Sequence, residues 1–288
     1  MTPSQAASPP FLRIGPQTPA TPVILSVPHA GRSYQPSLLQ AARVPLNVLE
    51  ALEDRFVDRL IWRAVASGVT ALVATAPRAE IDLNRDEREI DPAMIAPPPA
   101  AGAIISSART RGGFGLLPAR IAGAGALWRG RISRDELKRR VETIHRPFHA
   151  ALADTLAAAR ARFGVAVLLD CHSMPPRADT GGETIVLGDR HGITIAPELL
   201  AAAILTCRSH GFSVGCNDPY AGGHIVERHG RPSLNVHALQ LEIDRTAYLN
   251  AALREPGPGF DAAARVIAAV ADALGSAALG EPTMLAAE

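Results

Sequence analysis

Three strand-like runs of this chain end at side chains that could bind a metal ion or move a proton. The run in PVILSVPHAG leads to His29, the run VAVLLDCHS leads to His172, and LQLEIDR carries Glu242. Because the carboxyl ends of parallel strands lie at one edge of a sheet, these distant groups can converge there. Two imidazoles and a carboxylate suit a catalytic zinc site that keeps one position open for water.

Each of these residues also allows a purely structural interpretation. A histidine after a strand often serves only hydrogen bonds within a loop. Glu242 alternates with Leu241 and Ile243, as a solvent-facing strand residue would. A serine protease triad is disfavoured, because the sequence has no GxSxG elbow and adjacent residues of a strand point to opposite faces.

Other polar segments could contact a substrate. In DLNRDEREIDP, Asn84 and Arg85 follow a strand, and a guanidinium held by a neighbouring amide offers a planar fork for a carboxylate. An exposed charge cluster of this kind is usually a solvated loop, and that interpretation stays open. The segment NDPYAGGHIVERHGRP predicts a mobile loop that carries His224. His145 and His149 have the spacing of helical metal ligands, but the proline between them favours a structural role.

The elements that must position these residues alternate between strand and helix. Residues 45–68 and 133–164 predict helices, and several strand-like runs are apolar from end to end. This pattern predicts an α/β fold, with a mostly parallel or mixed central sheet covered by helices on both faces. We expect a Pro/Ala-rich arm over residues 1–20, one catalytic domain over residues 21–275 and a tail over residues 276–288.

The amino-acid composition indicates which classes of partner this protein could bind. The formal net charge is +1 and aromatic residues make up 4% of the 288 residues, which disfavours nucleic acid and membrane surfaces. Three cysteines without a CxxC pair indicate a reducing compartment. The N-terminus lacks the pattern of a signal peptide, so we expect a cytoplasmic protein. The partner should be a small molecule, and the chain could act as a monomer or as a homo-oligomer.

Taken together, the motifs resemble those of the N-formylglutamate amidohydrolase family. The resemblance runs from about residue 21 to residue 275 and rests on SVPHAGRSY, EDRFVDRL, APRAEIDLNRDEREIDP, FGVAVLLDCHSMPP, ETIVLGDRHG, NDPYAGGHIVERHGRP and NVHALQLEIDR. That family resembles the zinc carboxypeptidase and aspartoacylase group in fold and in the layout of its site. The resemblance therefore implies a carboxypeptidase-like α/β fold and a metal-dependent amidohydrolase.

The implied reaction is hydrolysis of the N-acyl amide of an acidic amino acid. In the best-known case N-formyl-L-glutamate yields formate and glutamate in histidine degradation. Two alternatives stay open. The first is a hydrolase of the same fold acting on another N-acyl amino acid or a small peptide, and the second is a non-catalytic dicarboxylate-binding protein.

The resemblance also implies a set of site residues. His29 and His172 correspond to the two histidine ligands of Zn²⁺ or another divalent transition metal. The wider group takes its acidic ligand three positions after the first histidine, where this chain has Arg32. The acid is therefore expected from EDRFVD, as Asp54 with Glu53 as the alternative.

The remaining roles follow from the same resemblance. Glu242 would transfer the proton and Arg78 would stabilise the oxyanion. Asp170 would contact the imidazole of a metal ligand and hold its orientation without binding the metal itself. The residues expected to bind the substrate are Asn84, Arg85, His224 and Arg245.

Overall fold

The computed structural model describes residues 9–121, 123–177 and 181–280. The strands are β1 (Phe11–Ile14), β2 (Val23–Val27), β3 (Thr70–Ala74), β4 (Ile95–Ala96), β5 (Arg120–Ile121), β6 (Gly125–Ala126), β7 (Ile132–Ser133), β8 (Ala166–Met174), β9 (Ile185–Gly188), β10 (Val214–Cys216) and β11 (Val236–Asp244). The α-helices are α1 (Pro36–Ala41), α2 (Leu46–Leu49), α3 (Val57–Leu60), α4 (Trp62–Ala66), α5 (Ala108–Arg111), α6 (Arg134–Arg140), α7 (Arg146–Phe163), α8 (Pro197–Ser209), α9 (His224–His229) and α10 (Phe260–Ala278).

Seven strands form a mixed central sheet in the order β1–β3–β2–β8–β11–β9–β10. Strand β8 pairs in parallel with β2 and β11, whereas β9 runs antiparallel to β11 and parallel to β10. Every residue of β8 is buried, which requires cover on both faces of the sheet. The predicted α/β fold with a mixed, mostly parallel sheet is confirmed.

The described residues divide into two compact units. The first comprises residues 9–12, 29–53 and 73–149 apart from residue 122, and the second comprises residues 13–28, 54–72 and 150–280 apart from 178–180. In the second unit α10 packs against α8 and α4 and against the strands β2 and β8. In the first unit Leu38, Leu49 and Trp128 belong to one buried apolar cluster. The domain limits expected at residues 21 and 275 stay a prediction.

The single helix predicted over residues 45–68 is wrong. A 3₁₀ turn over Glu50–Leu52 follows α2, and the chain becomes extended at Glu53 before α3 begins. Phe56 has a φ of 61°, a left-handed conformation that an α-helix cannot contain. The apolar spacing of this segment therefore serves several short helices, with the acidic residues Glu53 and Asp54 in the break between them.

Three other segments differ from their predicted form. Residues 11–14 of the expected N-terminal arm form β1, at the edge of the sheet. Part of the expected loop after residue 217 is helix α9, which buries Ile225 and Val226. Between α6 and α7, Val141–His145 is a π-helical segment. This local widening accommodates Pro147, which has no N–H to donate to the preceding turn.

Candidate active site and metal ligands

The carboxyl-terminal halves of β8 and β11 carry a ladder of buried polar side chains in the second unit. In the parallel register Gln240 lies opposite Asp170, and Glu242 lies opposite His172. Residues two apart in a strand share a face, so these four side chains line one side of the sheet. All four are buried, and Glu242 is only 7% exposed. The interpretation of Glu242 as a solvent-facing strand residue is therefore wrong.

Both ring nitrogens of His172 contact buried carboxylates. Nε2 lies 2.8 Å from Asp170 Oδ2, and Nδ1 lies 3.0 Å from Asp54 Oδ2. Burial alone would lower the pKa of this imidazole. The carboxylates of Asp170, Asp54 and Glu242 outweigh burial and hold the pKa well above its usual value. The result is a histidine whose orientation is fixed on both sides by negative charge.

Arg245 extends this network on the Asp54 side. Its Nε donates to Ser173 Oγ at 3.2 Å, and its Nη2 lies 3.4 Å from Asp54 Oδ1. Ser173 Oγ in turn donates to Asp54 Oδ1 at 3.3 Å. Asp54, His172 and Arg245, to which the family resemblance gave ligand and substrate roles, therefore lie in one hydrogen-bonded group.

His29 belongs to a buried network in the first unit, centred on Asp82. Its Nε2 lies 2.8 Å from Asp82 Oδ1, which also accepts from the backbone N–H of Asn84 at 2.9 Å. Arg78 Nε donates to Asp82 Oδ2 at 3.0 Å, and Arg85 Nη2 lies 3.9 Å from the same oxygen. Burial would raise the pKa of Asp82, but Arg78, Arg85 and His29 hold it well below the usual range.

Arg85 is held mainly by backbone groups. Its Nε donates to the carbonyl of Phe114 at 2.9 Å, and its Nη1 donates to the carbonyl of Asn84 at 2.7 Å. Asn84, the residue predicted to hold the guanidinium, therefore contacts it through its backbone carbonyl. A carboxylate ligand would use the remaining N–H groups of Nη1 and Nη2.

The two helical histidines buttress this same segment. His145 Nε2 lies 2.9 Å from the carbonyl oxygen of Arg85, and His149 Nε2 lies 3.0 Å from that of Leu83. Both imidazoles are fully buried, and a carbonyl can only accept, so each ring donates from Nε2. These bonds agree with the structural role predicted for the pair.

The two candidate acidic ligands have different partners. Glu53 Oε1 accepts a hydrogen bond from the hydroxyl of Tyr34 at 2.8 Å, whereas Asp54 contacts the ring of His172. His224, another expected substrate contact, is the first residue of α9 and is half-buried.

Sequence reasoning missed two central residues. Asp82 stands in the motif DLNR, and its signal was an acid two positions before the asparagine–arginine pair. Gln240 stands two positions before Glu242 in LQLEIDR, where an uncharged polar residue in a buried strand was the signal.

Comparison with known proteins decides the family. The model of the N-formylglutamate amidohydrolase family matches residues 21–249. The chain belongs to this family. The predicted resemblance is thereby confirmed, and so is the prediction of an enzyme that hydrolyses an amide bond.

Relatives in this family include two curated bacterial enzymes. The N-formylglutamate deformylase of Pseudomonas aeruginosa is 30% identical over 240 residues, which cover 80% of this chain and 82% of that protein. The N-formylglutamate deformylase of Pseudomonas putida is 30% identical over 239 residues, with 79% and 82% covered.

Solved structures agree with this assignment. The crystal structure of N-formylglutamate amidohydrolase from Ralstonia eutropha JMP134 matches with a TM-score of 0.84 and 32% identity, over 93% of this chain and 97% of that chain. A gene product of Agrobacterium tumefaciens shares the fold, with a TM-score of 0.64, 17% identity and 96% of each chain covered.

Among the described residues, no helix has the length and apolar character needed to cross a membrane.

Proposed function

We propose that this protein hydrolyses N-formyl-L-glutamate to formate and glutamate, as a metal-dependent enzyme of histidine degradation in the cytoplasm. The names of its relatives support the substrate. The observation that carries the metal dependence is the arrangement around His172. One ring nitrogen is fixed by the buried carboxylate of Asp170 and the other is directed at a second buried carboxylate, that of Asp54. A carboxylate that accepts from the non-coordinating ring nitrogen, as Asp170 does here, commonly orients the histidine ligands of metals.

We assign His29, Asp54 and His172 as the ligands of one divalent metal ion. They offer two imidazole nitrogens and one carboxylate oxygen, a donor set that suits Zn²⁺ and other transition metals. In both histidines a buried carboxylate holds Nε2, which leaves Nδ1 as the coordinating nitrogen. His29 follows β2 by two residues, and β2 pairs with β8 in a register that sets Ser26 opposite Asp170.

Asp54 is favoured over Glu53 as the acidic ligand. Its carboxylate already lies on the Nδ1 side of His172, whereas the carboxylate of Glu53 accepts from Tyr34. A histidine binds a metal through a deprotonated ring nitrogen, so metal affinity should fall at low pH.

The bound metal would supply Lewis-acid chemistry, lowering the pKa of water to about 7 and polarising the acyl carbonyl. Glu242 accepts the proton of the attacking water at a carboxylate oxygen and delivers it to the departing amide nitrogen. The guanidinium of Arg78 stabilises the negative charge that develops on the acyl oxygen. Asp82 and Asp170 keep the two imidazoles in place.

The substrate is a small molecule with two carboxylates, and the chain offers cationic groups for both. We assign Asn84 and Arg85 to one carboxylate and Arg245 or His224 to the other. Guanidinium groups form paired, charge-assisted hydrogen bonds with carboxylates, which favours an acidic amino acid over a neutral one.

A substrate panel with metal analysis tests the proposal. Purified protein would be assayed on N-formyl-, N-acetyl- and N-succinyl-glutamate, before and after treatment with a chelator and after return of Zn²⁺ or Co²⁺. We expect fastest turnover of the formyl substrate, loss of activity with the metal and recovery on its return. Preference for the acetyl or succinyl compound would assign another N-acyl amino acid. Dicarboxylate binding without turnover at any metal content would indicate a binding protein.

Variants of the assigned residues sharpen this test. Glu242→Gln should hold metal and lose at least about a hundredfold in kcat, since a positioned acid–base group contributes that much or more. His172→Ala and Asp54→Ala should lose both metal and activity. Glu53→Ala should keep the metal, and loss of metal in this variant would reassign the acidic ligand.

A further inference from the structure

The side-chain amide of Gln240 lies buried between Glu242 and the loop formed by residues 217–223. Its Nε2 donates to Glu242 Oε1 at 2.9 Å, and its Oε1 accepts from the backbone N–H of Gly223 at 2.8 Å. Gln240 is only 3% exposed. A buried amide costs free energy unless it is hydrogen-bonded, and here both of its ends have a partner.

The loop that Gln240 contacts is fixed closely against the sheet. A Cβ atom on Gly188, which lies opposite Gln240 in the register of β9 and β11, would be 2.6 Å from the backbone nitrogen of Gly222. Only glycine at position 188 allows this approach. Gly222 has a φ of +106°, which a residue with a side chain rarely adopts. The loop is therefore held where its backbone N–H can reach the amide.

Tyr220, in the same loop, is half-buried. Burial raises the pKa of the Tyr220 hydroxyl, and the negative charge of Glu242 raises it further. The carboxylate of Glu242, the amide of Gln240 and the backbone N–H of Gly223 thus form one hydrogen-bonded chain in the second unit.

We propose that Gln240 is a positioning residue that fixes the orientation of the Glu242 carboxylate. The terminal torsion of a glutamate is broad, so the orientation of its carboxylate is set by the groups that contact it. A hydrogen bond to Oε1 holds the plane of the carboxylate in the orientation needed for proton transfer. Through Gly223, the same amide couples this orientation to the position of the loop. This inference rests on the proposed function, in which Glu242 moves the proton.

Two substitutions separate the two ends of the amide. Gln240→Glu keeps an acceptor for the Gly223 N–H but replaces the donor to Glu242 with a like charge. Gln240→Met has a similar length and removes both hydrogen bonds. Thr206→Val is the matched control, because it removes a 2.8 Å hydrogen bond from a buried residue to the carbonyl of Ala202 within α8.

We expect both Gln240 variants to lose about ten- to a hundredfold in kcat at wild-type metal content, since a misplacement of about 1 Å can cost a hundredfold. KM should stay within about threefold for Gln240→Glu, whose loop contact survives, and should rise further for Gln240→Met. Thr206→Val should keep the kcat and KM of the wild type. The assays would use whichever N-acyl amino acid the wild-type enzyme turns over fastest.

Either of two outcomes would overturn the inference. One is a kcat within twofold of wild type for Gln240→Glu, and the other is loss of activity in strict proportion to loss of metal or folded protein. If Gln240→Met does not fold, the isosteric Gln240→Glu decides alone. Glu242→Gln separates this inference from the proposed function. If Glu242→Gln is inactive while the Gln240 variants are active, only the role of Gln240 is refuted. If Glu242→Gln is fully active, the proposed proton transfer by Glu242 is refuted as well.

Discussion

Replacing Asp82 with asparagine tests the network behind His29 most directly. The carboxylate is 2% exposed and accepts hydrogen bonds from three groups, His29 Nε2, the Asn84 N–H and Arg78 Nε. Asparagine has nearly the same shape, so the substitution removes a charge and one acceptor without leaving a cavity. Since Asp82 is assigned only an orienting role, metal affinity should fall without being abolished.

The structure sets the expected size of the effect. Asparagine can keep an oxygen at the Oδ1 position, where it still accepts from His29 and Asn84. Its NH₂ group then faces the Nε–H of Arg78, and a charge-assisted hydrogen bond worth about 1.5–3 kcal/mol is lost. Arg78 and Arg85 also lose this buried counter-charge, and breaking a buried ion pair costs about 3–5 kcal/mol. We expect unfolding free energy to fall by about 3 kcal/mol and metal affinity to fall about 10- to 100-fold.

Urea unfolding of the metal-free protein and metal titration against a competing chelator would measure the two quantities. Asp91→Asn is the matched control, because Asp91 caps a 3₁₀ turn through a 2.9 Å hydrogen bond from Ala93 N, and asparagine caps equally well. This control should leave both quantities near their wild-type values. Unchanged metal affinity in Asp82→Asn would refute the argument that Asp82 orients a ligand histidine, even if stability fell as expected.

Three further predictions address other parts of the chain. Arg85→Lys and Arg85→Ala should lower kcat/KM on N-formylglutamate about ten- to a hundredfold. The loss should be smaller on an analogue in which the carboxylate bound by Arg85 is replaced by an amide, and equal losses on both substrates would refute carboxylate binding by Arg85. The Arg139 hydrogen bond holds the pKa of Glu136 at about 2, below its ordinary 4.5. Its stabilisation is therefore present above about pH 4.5 and is lost as the pH falls towards 2. In urea unfolding at pH 7, Glu136→Gln should lower the free energy of unfolding by about 0.5–1 kcal/mol. This difference from wild type should shrink as the pH falls from about 4.5 towards 2, and a pH-independent difference would contradict the lowered pKa of Glu136. A thiol reagent should label exposed Cys216 quickly in the native protein and the two buried cysteines only after unfolding; three equally fast thiols would contradict the described burial.

Much of this protein could be predicted from local sequence. Apolar runs of strand length, each ended by proline, glycine or a polar residue, identified the strands that lead to His29 and His172, because burial on both faces of a sheet requires such runs. The spacing and order of the motifs also predicted the family, since a whole set of short motifs is far more specific than any one of them.

The tertiary structure decided which groups meet and through which atoms. The contact between Asp54 and His172 joins residues 118 positions apart, and the choice between Asp54 and Glu53 depends on a helix break that apolar spacing does not reveal. The centre of the His29 network, Asp82, lies 53 positions from that histidine in sequence. Local patterns report burial and turns, because those depend on neighbouring residues. A hydrogen bond between distant residues depends on strand register and packing, which only the folded chain fixes.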